Sequence, residues 1–181
     1  MSSVDELLER NRAFKATGAY EGLSILPRAP VFVVTCLDPR VDPAAFLGLA
    51  LGDAPVVRNA GGRVTEAVID DIAFISYTVG LMLTDGPLFE VAVIHHTGCG
   101  TGFLADAGFR HAFATRTCLD ESVLADSAVI DPEQTVAADV NRLLASPKVS
   151  ERISAAGYVY DVDTGLVRMT VAPAQPAARP A

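Results

Sequence analysis

An α/β fold with a mostly parallel central sheet flanked by helices is what this sequence predicts, and three observations carry that expectation. Short strand-like runs alternate with helical patterns along the 181 residues, the arrangement that yields parallel sheets joined by right-handed crossovers. The first run, Val31-Phe32-Val33-Val34-Thr35-Cys36, is continuously apolar or β-branched, as expected of a strand buried on both faces. The residues able to do chemistry cluster at the carboxyl ends of the first and third runs, where open α/β sheets bind ligands. A strand order 2-1-3-4, plus an antiparallel edge strand, makes strands one and three neighbours and brings those residues together.

The elements follow in order. Ser3-Val4-Asp5-Glu6 has capping-box form, and Leu7, Leu8 and Phe14 give the helix after it a thin apolar stripe up to about Lys15. So thin a stripe favours packing on a partner subunit. Residues 18–30 read as a Gly/Pro-punctuated linker before the first strand. Asp42-Pro43 supplies an N-cap and a proline at the first helical position, opening a short helix through about Leu49. Pro55-Val56-Val57-Arg58-Asn59 is the second strand, closed by Ala60-Gly61-Gly62. A long helix spans 65–83, with Val68, Ile69, Ile72, Ile75 and Val79 at helical spacing, and Asp85-Gly86-Pro87 stops it. Residues 89–96 form the third strand. Short helices are expected around 103–113 and 120–126, and Asp131-Pro132 caps another that runs to about Ala145. Residues 158–162 and 166–171 flank Asp163-Thr164-Gly165 as a closing hairpin, and the Ala/Pro-rich tail 172–181 is expected to be mobile. All of this fits one domain over 1–181, with the N-terminal helix at 1–16.

Composition narrows the function classes. A formal net charge of −8 without Lys/Arg runs argues against nucleic acid or an anionic membrane as partner. No apolar run approaches membrane-spanning length. The polar, acidic start Met1-Ser2-Ser3-Val4-Asp5-Glu6 carries no secretory or transit pattern. Cysteines at 36, 99 and 118 form neither an even-numbered disulfide framework nor a CxxC redox pair. A reducing cytoplasm is the expected location, and there thiols stay available to metal.

Two segments carry the chemistry: Cys36-Leu37-Asp38-Pro39-Arg40 and His96-Thr97-Gly98-Cys99. Two thiolates and an imidazole are what a catalytic zinc ion, Zn2+, takes as protein ligands, with a fourth position left open. Each motif has a bland rival. Cys36 alone reads as an inert buried strand residue, an isolated H-x-x-C is a weak signal, and Asp38 with Arg40 could be a strand-end ion pair. The combination favours a metal. A thiol phosphatase or sulfurtransferase loop is excluded, because only three residues separate Cys36 from Arg40 and Asp38-Pro39 repels phosphate. His95 points to the opposite side from His96 by strand alternation, so it is expected to be structural or at a subunit interface. Cys118 is expected to pack as a small apolar residue.

At these residues the sequence resembles the β-class carbonic anhydrases. The resemblance runs in order over about residues 31–100, through CLDPR, FLGL, GDAPVVRNAGG and VIHHTGCG, and continues weakly into GYVYDVDTG. The N-terminal helix with Asn11 and Phe14 is also similar. It implies zinc bound by Cys36, His96 and Cys99, with Asp38 orienting the nucleophile and held by Arg40. If that pair breaks, Asp38 becomes a fourth zinc ligand. It also implies that the glycine-rich loop, Asn59, Ala60 and Gly61, lines the substrate pocket. The implied reaction is reversible hydration of carbon dioxide to bicarbonate and a proton by zinc-bound hydroxide. The alternative is hydrolysis of carbonyl sulfide or carbon disulfide to hydrogen sulfide at the same site, and a non-catalytic zinc module is a third reading. A homodimer or higher even oligomer is expected. The sequence departs from the family at Gly98, where many relatives carry a polar or charged residue, and at Thr101-Gly102, where Met is common. Both bear on substrate choice and rate more than on metal binding.

Overall fold

The computed structural model of the protein describes Ser2 and residues 4–177. Strands β1 (Val31–Cys36), β2 (Val56–Asn59), β3 (Glu90–His96), β4 (Ser154–Tyr160) and β5 (Val167–Ala174) form one sheet in the order β2-β1-β3-β4-β5. All neighbours pair in parallel except β4 and β5, which are antiparallel. This is the expected order, and it puts the ends of β1 and β3 side by side.

Helix α1 (Asp5–Ala16) precedes the first strand, and helices α2 (Pro43–Phe46), α3 (Glu66–Met82), α4 (Ala107–Thr117), α5 (Glu121–Asp126) and α6 (Pro132–Ala145) lie in the connections between strands. Strand alternation divides the core. Phe32 and Val34 of β1, with Val91 and Val93 of β3, face α3 and α6, packing against Val68, Ile69 and Ile72 and against Val136, Val140 and Leu143. Val33, Ala92 and Ile94 face the other way, towards Phe46, Leu49, Tyr158 and Tyr160. Each fully buried Val, Leu or Ile contributes about 1.5–3 kcal/mol relative to exposure. α3 is therefore held mainly by its sheet-facing stripe, and Thr65 starts it by accepting from the Val68 N–H. α1 lacks such a stripe, since none of its residues is buried.

Several boundaries differ from the sequence expectation. Ser3, the first residue of the anticipated capping box, lies outside the described residues, and Val4 at the N-cap offers no side-chain bond. α2 ends at Phe46 rather than Leu49, because Gly48 takes a left-handed turn (φ +67°) just beyond it. The tail is strand through Ala174, where Ala155 pairs with Ala174, and residues 178–181 lie outside the described residues. Cys118 is exposed rather than packed: it takes the left-handed position (φ 57°) that terminates α4. Among the described residues no helix is long and apolar enough to cross a membrane.

Candidate metal centre

The site is built where β1 and β3 stop. The β1–β2 ladder ends with Cys36 opposite Asn59, and the chain then turns away through Leu37 and Asp38. Arg58 of β2 fixes that turn: its Nε donates to the Cys36 carbonyl at 3.0 Å and its Nη2 to the Asp38 carbonyl at 2.8 Å. The 3-10 turn Ala60–Gly62 crosses directly above. Gly62 has φ +67°, and a Cβ there would stand 2.9 Å from the Cys36 backbone nitrogen, so only glycine permits this approach. After β3, the Thr97 N–H donates to the Tyr160 carbonyl, the Thr97 hydroxyl accepts from the Val162 N–H, and Gly98 (φ +61°) reverses the chain into Cys99.

Cys36 Sγ and Cys99 Sγ come to 3.9 Å, and both sulfurs and a His96 ring nitrogen lie within 4.8 Å of one another. Two bonds of ordinary zinc–thiolate length meeting at a tetrahedral angle put their sulfurs about 3.8 Å apart, so the spacing suits one ion. The imidazole is prepared in the same way. His96 Nδ1 donates to the Thr97 carbonyl at 2.9 Å, which leaves the lone pair on Nε2. That Nε2 is buried and, among the described residues, is the single buried side-chain polar atom without a hydrogen-bond partner. An orphaned acceptor beside two sulfurs makes a donor set whose missing partner a metal ion would supply. The residues present fit zinc.

The electrostatics agree. The Cys36 S–H stabilises a Cys99 thiolate and holds the Cys99 thiol far below its usual range, helped by His96 and Thr101. Cys36 is pushed up by the same contact and by burial. Burial opposes a charged His96, but the Cys99 thiolate outweighs it and raises the imidazole. One negative charge is readily held here and a second requires a cation. Metal binding at this site therefore displaces protons.

Asp38 and Arg40 form a two-pronged pair, Nε to Oδ1 at 3.0 Å and Nη2 to Oδ2 at 2.7 Å, with the Arg40 backbone N–H also donating to Oδ1. The Arg40 guanidinium holds Asp38 at about 2, well below the usual carboxylate range. Arg40 also donates to the Gly98 carbonyl at 3.0 Å, which ties the two motifs together. In this conformation Asp38 stands outside the three-ligand group. A cleft of about 250 Å³ opens beside the sulfurs, lined by Leu37, Asp38, Pro39, Ala60, Gly61 and Thr101. Asn59 does not line it. Its side-chain amide bonds the Arg63 backbone on both sides, at 2.8 Å each, and so closes the glycine loop.

His95 faces α6 as strand alternation requires, bonded to the Thr135 hydroxyl at 2.8 Å and to the Gly62 carbonyl at 3.2 Å. Beneath it lies a buried charge cluster with no local sequence motif. Asp139 accepts Arg63 Nε and Nη2 at 2.8 and 3.0 Å and the Val64 N–H at 3.0 Å, and stands 3.3 Å from His95 Nε2. Burial alone would raise Asp139, yet the bonds from His95 and Arg63 hold it at about 2. Arg58, though inside the GDAPVVRNAGG segment, shows its grip on the Cys36 and Asp38 carbonyls only in the structure, and Arg63 and Asp139 are the residues of this region that motif reading does not find. A buried Asp in the apolar stripe of α6 is their one trace in the sequence.

The carbonic anhydrase family profile matches residues 31–108. The chain is 31% identical over 165 residues to beta-carbonic anhydrase 1 of Mycobacterium tuberculosis, covering 91% of this chain and 96% of that protein. It is 29% identical to a carbon disulfide hydrolase of an Acidianus strain, over 76% of each chain. The crystal structure of carbonic anhydrase from Streptococcus mutans superposes with a TM-score of 0.80 at 36% identity, covering 94% of this chain and 98% of the other. With the sheet order, the Cys36–His96–Cys99 group and these likenesses in agreement, the chain belongs to the β-carbonic anhydrase family.

Proposed function

We propose that this protein reversibly hydrates carbon dioxide to bicarbonate and a proton at a zinc ion held by Cys36, His96 and Cys99. The observation that carries the reading is the orphaned Nε2 of His96 set against two sulfurs 3.9 Å apart, facing a cleft that Asp38 borders. Zinc so held supplies a water of lowered pKa near neutrality. The remaining work falls to the chain. Asp38 Oδ1 accepts two bonds from Arg40 while Oδ2 accepts one, so Oδ2 keeps a lone pair to accept a hydrogen bond from the nucleophile and orient it. Leu37, Pro39 and Ala60 give carbon dioxide an apolar wall, and expulsion of water from it strengthens each polar contact inside.

Arg40 keeps the Asp38 carboxylate ionised and turned from the sulfurs. Without it, Asp38 is free to become the fourth ligand. Arg40→Ala is accordingly expected to retain zinc and to lose about 10–100-fold in hydration rate. A zinc-loaded Arg40→Ala protein with full activity would remove the pair from the mechanism, and zinc in a merely structural site would not respond to this change at all.

Hydrolysis of carbonyl sulfide or carbon disulfide is the second reading, supported by the likeness to a carbon disulfide hydrolase and by an apolar cleft that suits either substrate. Stopped-flow proton release from carbon dioxide, set against sulfide release from carbonyl sulfide on the same zinc-loaded preparation, decides between them. Sulfide release without proton release reverses the order.

The assembly proposed is a homodimer or higher even oligomer. α1 buries none of its residues, although Leu7, Leu8 and Phe14 give it apolar surface to cover. Sedimentation should show at least a dimer for the intact chain and weaker association once residues 1–16 are removed. A monomer at micromolar concentration for the intact chain rejects this assembly.

A further inference from the structure

Thr101 stands two residues past Cys99, in the 3-10 helix Gly100–Ala105, and lines the cleft. Its hydroxyl oxygen lies 3.2 Å from Cys99 Sγ. Either atom can donate while Cys99 is a thiol; a metal-bound thiolate sulfur only accepts, so with an ion held there the hydroxyl is the donor. The arrangement is held from the other side by the glycine loop. A Cβ on Gly61 would sit 3.2 Å from both the Thr101 hydroxyl oxygen and a Val129 methyl, so the bare glycine is what leaves the hydroxyl room beside the sulfur. Val129 packs with Cys36 and Cys99 as a dry wall, where a hydrogen bond is stronger than in water. Cys36 has a weaker partner, the Asp38 N–H at 3.5 Å.

We propose that Thr101 is a positioning residue for the metal centre: its hydroxyl draws charge from the Cys99 sulfur and so keeps a two-thiolate site electrophilic. Two thiolates cancel the formal charge of a divalent ion, and a ligand set of that kind donates more electron density than neutral imidazoles do. A donor aimed at one sulfur returns part of the lost Lewis acidity without altering the ligands. Outer-shell partners of this type tune a metal through its ligand. The inference rests on the Cys36–His96–Cys99 metal centre proposed above and extends it to a residue outside the two motifs.

The test uses cobalt(II) in place of zinc in the full chain, because sulfur-to-cobalt charge transfer reports directly on sulfur electron density. Thr101→Val keeps the shape and removes the hydroxyl, whereas Thr101→Ser keeps the hydroxyl and removes the methyl. The expected result is a charge-transfer band at lower energy in Thr101→Val, at unchanged metal content, with kcat of the zinc form reduced roughly tenfold and KM little changed. Thr101→Ser should keep the wild-type band and rate. A Thr101→Val band coincident with wild type overturns the proposal, and so does a Thr101→Ser protein that shifts as far as Thr101→Val, since the role is then packing. Should Thr101→Val fail to fold, Thr101→Ala carries the same expectation and the same overturning result. The band needs bound metal but no turnover, so a wild-type protein inactive towards carbon dioxide defeats the proposed reaction and leaves this test standing. A wild-type protein with no sulfur-to-cobalt band defeats the metal centre itself.

Discussion

Replacing Cys36 or Cys99 with serine is expected to empty the site of zinc and reduce hydration to background. A serine hydroxyl does not ionise near neutral pH, so either change removes one of the two anions that the ion requires, and the remaining His96 and single sulfur leave two protein ligands where catalytic zinc sites use three. The wild-type chain should carry about one zinc. Because Cys36 and His96 end two core strands, an ion held by them would link metal binding to folding, and its binding free energy would add to stability. A chelator should therefore lower the melting temperature of the wild type and leave that of either serine variant unchanged. Elemental analysis is the deciding measurement: stoichiometric zinc in the Cys99→Ser protein would remove Cys99 from the site, and the same result for Cys36→Ser would remove Cys36.

The second large effect is expected beneath the site. Asp139 is fully buried and balances Arg63, itself only 4% exposed, while His95 and the Val64 N–H complete its bonds. Arg63 also donates to the Asp126 carbonyl, and Arg142 reaches Asp126 at 2.9 Å, so the cluster fastens the glycine loop and the end of α5 to α6. Asp139→Asn keeps the shape but strands the guanidinium, and breaking a buried pair in this way costs about 3–5 kcal/mol. For a chain of this size that lowers the melting temperature by on the order of 10 °C. A simultaneous Arg63→Met, Asp139→Leu replacement should cost less than Asp139→Asn alone, because no charge is then left buried. Equal melting temperatures for wild type and Asp139→Asn would show that the cluster carries no stability.

The same carboxylate sets an acid limit. Asp139 titrates at about 2 in the folded chain against its ordinary 3.8, so its folded pKa is depressed. Its contribution is fully present above about pH 4 and is lost as pH falls through about 2. The shift corresponds to about 2 kcal/mol of the stability measured near neutral pH. Asp139→Asn should flatten that part of the stability–pH curve.

The buried cluster marks where reading the chain stops short. Cys36, Asp38, Arg40, His96 and Cys99 are legible because each motif is local: one strand end and one tight turn present all its side chains, and the spacing shows in the sequence. The strand order is legible for a related reason. Continuous apolar runs must lie inside a sheet, and ligand-type residues at the ends of runs one and three make sense only if those runs are neighbours. Asp139 lies 76 residues from Arg63 and 44 from His95, and nothing near it in the chain shows that three buried polar groups will meet there. The family resemblance implies that Asn59 lines the pocket with Ala60 and Gly61, which do line it. Its amide instead bonds the Arg63 backbone, since a loop so close to β1 must satisfy its own polar groups.

By itself, then, the sequence determined the α/β class, the order of the strands and the residue types of the candidate metal-binding group, because those depend on hydrophobic periodicity and on residue types at short spacing. Only the tertiary structure decided which atoms face one another: the 3.9 Å between the sulfurs, the His96 tautomer set by the Thr97 carbonyl, Asp38 turned to Arg40, and Thr101 aimed at Cys99. The reason is physical. Periodicity says which face of an element is buried, whereas a hydrogen bond or a metal site depends on tenths of an ångström, and those are set by how the whole sheet and its covering helices pack.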